Sequence, residues 1–191
     1  GGYATSTLIY DALLRPRQTQ AFSPQSGRII TDTFYDSRGW VSGTYNGWWD
    51  PNTAPNTSLV SAPNLHDVVH NQDAYTYDGL GRTVQGRNTD AGDPLTAITA
   101  TTVYNGDRIT TVPPAGGVVC TNITDPLGRV AELDQYSAAP PINTPTNTFP
   151  GTWSVSGGTT IATHYGYDSH GHTPTLTDAA ANTPTSTCNL P

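Results

Sequence analysis

The sequence has no methionine and no lysine, and only two cysteines in 191 residues. Its eight basic residues are all arginine, against fifteen acids, for a formal charge of −7. No basic patch is available to displace phosphate counterions, so nucleic acid is excluded as a partner. No apolar run approaches the ~20 residues that a membrane-crossing helix needs. Long stretches free of Gly and Pro with 3.6-residue apolar spacing are missing too, so almost no helix is expected. Hydrophobic residues make up 35% of the chain, which suits a sheet with one polar or wet face better than a thick core. No GxSxG, HExxH, phosphate-loop or dinucleotide motif occurs. The chain is therefore read as no enzyme, with no catalytic residue, cofactor or metal. Cys120 and Cys188 show no CxxC spacing. A disulfide, a bond between neighbouring chains and packed free thiols all stay open.

What the chain does have is repetition. One phrase recurs as YDALLRPRQTQ at Tyr10–Gln20, YDSRGWVSGTY at Tyr35–Tyr45 and YDGLGRTVQGR at Tyr77–Arg87. It returns as TDPLGRVAELDQY at Thr124–Tyr136 and YDSHGHTPTLTD at Tyr167–Asp178. The skeleton is aromatic-Asp, two variable residues, Gly, a basic residue and a Thr/Val-rich run. Asp11, Asp36, Asp78, Asp125 and Asp168 are 25, 42, 47 and 43 residues apart, mostly two units of roughly 21. Tyr104–Ile109 reads as a worn copy, and Cys188 falls where the tyrosine of a further copy belongs. Stretches near 46–73 and 137–160, rich in Pro, Asn, Thr and Ser, read as inserted loops in a single repeat segment spanning 1–191.

Each unit reads as strand, tight turn, strand. Side chains before the motif alternate with period two, as at Ile161, Thr163 and Tyr165 against Ala162, His164 and Gly166. The Asp accepts a backbone hydrogen bond two residues on and starts a turn. Gly39, Gly81, Gly128 and Gly171 supply positive φ. Arg15, Arg82 and Arg129 lie four residues after Asp11, Asp78 and Asp125, which places an ion pair across each turn mouth. Residues repeated in this way serve architecture, since equivalent copies along a stack do not converge on one active site. The expected fold is all-β, built from repetitive antiparallel β-hairpins.

These five motifs resemble the rearrangement-hotspot or YD-repeat family, which includes bacterial polymorphic toxins, Tc-toxin cocoon components and the teneurin barrel. The phrases around them look like actinobacterial members. The resemblance covers most of the chain outside the two inserted loops. It implies a β-sheet spiralling into a hollow shell, of which this chain is a section, and a secreted or cell-surface role enclosing a toxin or effector domain. Asp125-Pro126-Leu127-Gly128 has the letters of the family's cleavage signature, but ordinary repeat sequence follows it, so no autoproteolytic residue is carried over. Starting at Gly1-Gly2 without Met, the chain is read as an internal piece of a larger parent. Its expected partners are the remainder of that parent or identical subunits, together with the enclosed toxin domain.

His164, His170 and His172 with Asp168 form a conceivable metal cluster, read first as polar turn residues. Trp48, Trp49 and Asp50, with Trp40, lie in and near the first inserted loop. They are candidates for stacking on a cell-surface glycan, or for plugging the interior of a shell. Asn56 and Asn122 begin N-x-Ser/Thr triplets. Two alternatives to the shell therefore stand: an extracellular fibre assembling through sheet edges, and a carbohydrate- or receptor-binding module. A site where the two loops meet, around Trp49, Asp50 and His66, is the rival that would carry catalysis.

Overall fold

A computed structural model describes residues 4–61, 65–143, 154–173, 175–178 and 180–182. The chain divides into two compact units, 1–99 and 100–191. Both consist of antiparallel strands that follow one another in chain order.

In the first unit the strands are β1 (Ser6–Tyr10), β2 (Pro16–Phe22), β3 (Arg28–Tyr35), β4 (Val41–Asp50), β5 (Gln72–Tyr77) and β6 (Thr83–Thr89). Each pairs antiparallel with the next. Between β4 and β5 runs a long connection carrying one short helix, α1 (Leu65–Val68). Beyond β6, Pro94–Thr96 forms a single 3-10 turn capped by Asp93.

The second unit takes up most of β7 (Ile98–Asn105), then β8 (Arg108–Val112), β9 (Cys120–Thr124) and β10 (Val130–Tyr136). A small hairpin of β11 (Ile142–Asn143) and β12 (Ser154–Val155) follows. The chain then returns as β13 (Thr160–Gly166) beside β10, and β14 (Thr175–Thr177) beside β13. The worn copy at Tyr104–Ile109 is a hairpin whose two-residue loop is Gly106 and Asp107. The last expected edge strand, near Thr183–Leu190, lies outside the described residues.

Strand bulges recur at a fixed offset from the repeated Asp. The ladder skips one residue at Arg17, Ser42, Val84 and Ala131, each six residues after Asp11, Asp36, Asp78 and Asp125. An extra residue bends the strand and re-aims its side chains. At Arg17 the result is visible, because Arg17 and its neighbour Gln18 both reach Asp32.

The interior is thin and polar. Among the described residues the buried apolar ones are Ile30, Val69 and Val84 in the first unit, with Gln18, Gln20, Arg28, Asp32 and Gln72, and Val103 and Val119 in the second, with Thr110, Thr121 and Asp134. Buried polar groups must be paired, and among the described residues the exception is the Arg87 Nε. Asp50, Arg28, Gln20, Gln18, Asp32 and Arg17 form one continuous hydrogen-bonded chain. Over it lies the segment 56–60. Gln20 accepts from the Asn56 amide and donates to the Ser58 carbonyl, and Gln18 accepts from and donates to the Val60 backbone. Two glutamine side chains thus stand in for a strand neighbour. The first long connection is thereby fastened to the sheet.

Candidate functional site

The repeated phrase builds the same turn six times, at Asp11, Asp36, Asp78, Asp125, Asp168 and Asp178. In each, the Asp N–H donates to the carbonyl four residues on, and the N–H three residues on donates back to the Asp carbonyl. The fourth residue has positive φ. It is Gly39, Gly81, Gly128 and Gly171 in four turns, Leu14 (φ 60°) in the first and Ala181 (φ 62°) in the last. Such a residue lets a short loop follow the right-handed twist of its two strands. One carboxylate oxygen accepts the N–H groups two and four residues on; at Asp125 both distances are 2.9 Å. The other oxygen takes a side chain: Arg15, Arg82 and Arg129 four residues on, Arg38 two residues on, and His172 or Asn182 in the last turns. The sixth turn escaped the sequence reading because it has neither Gly nor Arg. Its remaining signal is Thr177-Asp178 with Asn182 in the basic slot.

These contacts fix the charge state of the carboxylates. The Arg15 amide and guanidinium hold Asp11 below the usual carboxylate range. The Arg129 amide and side chain act likewise on Asp125, and the Asn182 side chain and amide on Asp178. At Asp36, Asp78 and Asp168 partial burial pushes upward, but the N–H and side-chain donors outweigh it, so the net direction is again down.

Successive turns are joined by the tyrosine that gives the phrase its first letter. Tyr35 donates its phenol proton to the Pro16 carbonyl at 2.9 Å, Tyr77 to Val41 at 2.7 Å and Tyr167 to Val130 at 2.6 Å. In all three the acceptor lies five residues after the Asp of an earlier turn. The ring is covered by the residue four after that same Asp. Arg15 lies over Tyr35 at 4.1 Å and Arg129 over Tyr167 at 4.2 Å. In the remaining case Trp40 packs on Tyr77 at 5.3 Å, with Arg38 over the indole at 4.2 Å. The glycines serve this stacking as well. A Cβ on Gly81 would meet the Trp40 ring at 2.8 Å, and one on Gly39 would touch Arg15 at 3.4 Å. The turns at Asp11, Asp36 and Asp78 in the first unit, and those at Asp125 and Asp168 in the second, therefore form ladders, each rung made of a ring, the cation or indole above it and a shared carbonyl.

The remaining sequence candidates separate. Trp48, Trp49 and Asp50 are the last residues of β4, so the first connection begins at Pro51. Asp50 is bound by Arg28 at 2.8 Å. Burial raises its carboxyl, but the Asn52 amide and Arg28 bring it below its usual value. The Trp48 indole N–H points to Asp32 at 3.4 Å. Trp49 is 48% exposed and donates to the Ser26 carbonyl. His164 sits across from Glu132 at 3.5 Å, while His172 engages Asp168 and stacks on His170. The three histidines therefore do not converge on Asp168. Among the described residues no group of three or more His, Cys, Asp or Glu is arranged to hold a metal ion. Cys120 is half-buried, and Cys188 lies outside the described residues.

No protein-family model and no curated protein matches the chain. Its fold is shared with two crystal structures, that of TcdB2-TccC3 and that of TcdB2-TccC3 without the hypervariable C-terminal region. Both align over 92% of this chain with a TM-score of 0.58, at 16% and 14% identity respectively. At that identity the likeness is one of fold. The chain spans 9% of the length of either solved chain.

Proposed function

We propose that the chain is a wall segment of a secreted YD-repeat shell, and that the shell encloses or presents a toxin or effector domain. The observation that supports this reading is the turn ladder. Each rung needs only the turn before it, so rungs can be added without limit, as a wall requires. The match to a small share of two much longer chains fits the same picture, and the YD motifs ally the segment with Tc-toxin cocoons and actinobacterial polymorphic toxins. The segment has no catalysis of its own, and its partners are the flanking parts of a parent chain. Expression of the full coding sequence surrounding residues 1–191 tests this. The variable C-terminal domain of that product is expected to resist protease until the shell is denatured. Digestion as fast as that of the isolated domain would contradict the shell.

One observation favours a second reading. Half-exposed Trp49 borders a cavity of about 470 Å3 with Trp48, Asn46, His70 and Asn71, an aromatic and amide lining suited to a sugar ring. A glycan array separates the two. Selective binding lost in Trp49→Ala supports a surface-binding module, and a blank array leaves the wall reading alone.

A further inference from the structure

Four neighbouring strands of the first unit place Phe34, Gly43, Ala74 and Arg87 side by side in register. Cross-strand partners share a face, so a ring and a guanidinium flank two positions with almost no side chain. The parallel row two residues along is Asp32, Tyr45, Gln72 and Thr89. The outcome is a trough of about 280 Å3 floored by Gly43 and Ala74. Phe34 closes one end, packed edge-on against Tyr45 at 4.7 Å and held from above by Arg17 at 4.3 Å. Arg87 closes the other. His66, Asp73 and Gly92 also line it. A Cβ on Gly92 would overlap the His66 ring, so this glycine is what lets the imidazole lie there.

The charge in this trough is unbalanced. Arg15, Arg17, Arg28, Arg38, Arg82 and Arg129 all form ion pairs with aspartate; among the described residues Arg87 and Arg108 form none, and of these two Arg87 lines the trough. Its Nε is buried without a hydrogen-bond partner, a costly state. The acids nearby are engaged. Asp73 itself lines the trough, and its carboxylate accepts from Asn46, Asn88 and Thr44. Asp32 is held by Arg17 and Gln18.

We infer that the trough binds an aromatic carboxylate of about amino-acid size. The Arg87 guanidinium takes the carboxylate through paired N–H donors. The ligand's ring lies on Gly43 and Ala74, against Phe34 and Tyr45. A free aromatic acid and the C-terminal residue of a peptide share this chemistry. The assignment concerns the first unit alone and does not depend on the shell reading.

The test uses the whole chain and three probes: N-acetylphenylalanine, its uncharged amide, and a short peptide ending in phenylalanine. Binding is followed by NMR shifts of the Gly43, Ala74 and Arg87 amides. Saturable binding of the acid is expected, weakened about tenfold or more in the amide and in Arg87→Gln. Arg87→Lys should recover part of the loss, which shows that Arg87→Gln fails through charge rather than misfolding. Phe34→Leu should weaken the acid while preserving its advantage over the amide. Tighter binding of the peptide than of the free acid assigns the site to chain ends, and the reverse order assigns it to small molecules. Equal binding of acid and amide, or no saturation by any probe below about 10 mM, overturns the proposal.

Discussion

The repeated aspartate and the glycine three residues after it have separable tasks. Gly128 has φ +79° with open space around its Cβ position, whereas Gly81 has φ +81° and the Trp40 ring against it. Gly128→Ala should therefore cost only the backbone term, about 1 kcal/mol. Gly81→Ala should cost clearly more, because the Trp40–Tyr77 rung must also shift. Urea unfolding of the two variants checks this, and equal losses would separate the glycines from the ladder. The aspartates make a pH prediction. All six turn carboxylates are held below their usual range. Such groups stabilise the fold fully above the unfolded-chain value near ~3.9 and lose that contribution as pH falls through the lower native values. The acid-side fall in melting temperature should thus begin below about pH 4. A melting temperature unchanged down to about pH 2 would show that the carboxylates contribute nothing. The Asp-x-x-Gly geometry was legible in the sequence because it is local. The phenol acceptors of Tyr35, Tyr77 and Tyr167 were not, because each lies 19 to 37 residues away on another strand.

At the scale of elements, the strand–turn–strand unit followed from alternation and turn residues, and the antiparallel order of the strands follows from the short loops. Three features did not. The bulges six residues after the Asp leave no compositional mark, since Arg17, Ser42, Val84 and Ala131 share no chemistry. The buried face of β3 carries Arg28 and Asp32 on either side of Ile30, where a hydrophobicity pattern alone expects apolar residues. These charges are tolerated because β2 supplies Gln18, Gln20 and Arg17, and β4 supplies Asp50. Removing one member leaves its partners buried and unpaired. Asp32→Ala should accordingly cost about 3 kcal/mol or more, measurable by urea denaturation. A loss below about 1 kcal/mol, the range of an exposed pair, would mean that the polar chain is not a structural element. The extent of β4 was also hidden. Gly47 and Asn46 interrupt a run that still pairs with β3 as far as Asp50.

For the whole molecule, the fold class was legible because the same phrase returns often enough to average out its local variation. The trough at Arg87 was not, since it draws on β3, β4, β5, β6 and the following connection, and no short spacing encodes it. One consequence of the ladder reaches beyond the described residues. Tyr10 occupies the slot of Tyr35 and Tyr77, yet it is 52% exposed on β1, whose only described neighbour is β2. An open strand edge with a vacant rung invites pairing with another chain or with flanking sequence. The chain should therefore self-associate as concentration rises, and Tyr10→Ala should weaken that association. A monodisperse monomer in concentrated solution, by light scattering, would count against wall and fibre alike. Consecutive turns linked in this way stabilise one another through ring, cation and carbonyl. A double-mutant cycle on Arg129 and Tyr167 measures this directly. Arg129→Met and Tyr167→Leu should be non-additive in unfolding free energy, with a coupling of about 0.5 to 1 kcal/mol. Additive losses would mean that the turns stand independently, and the ladder would be contradicted.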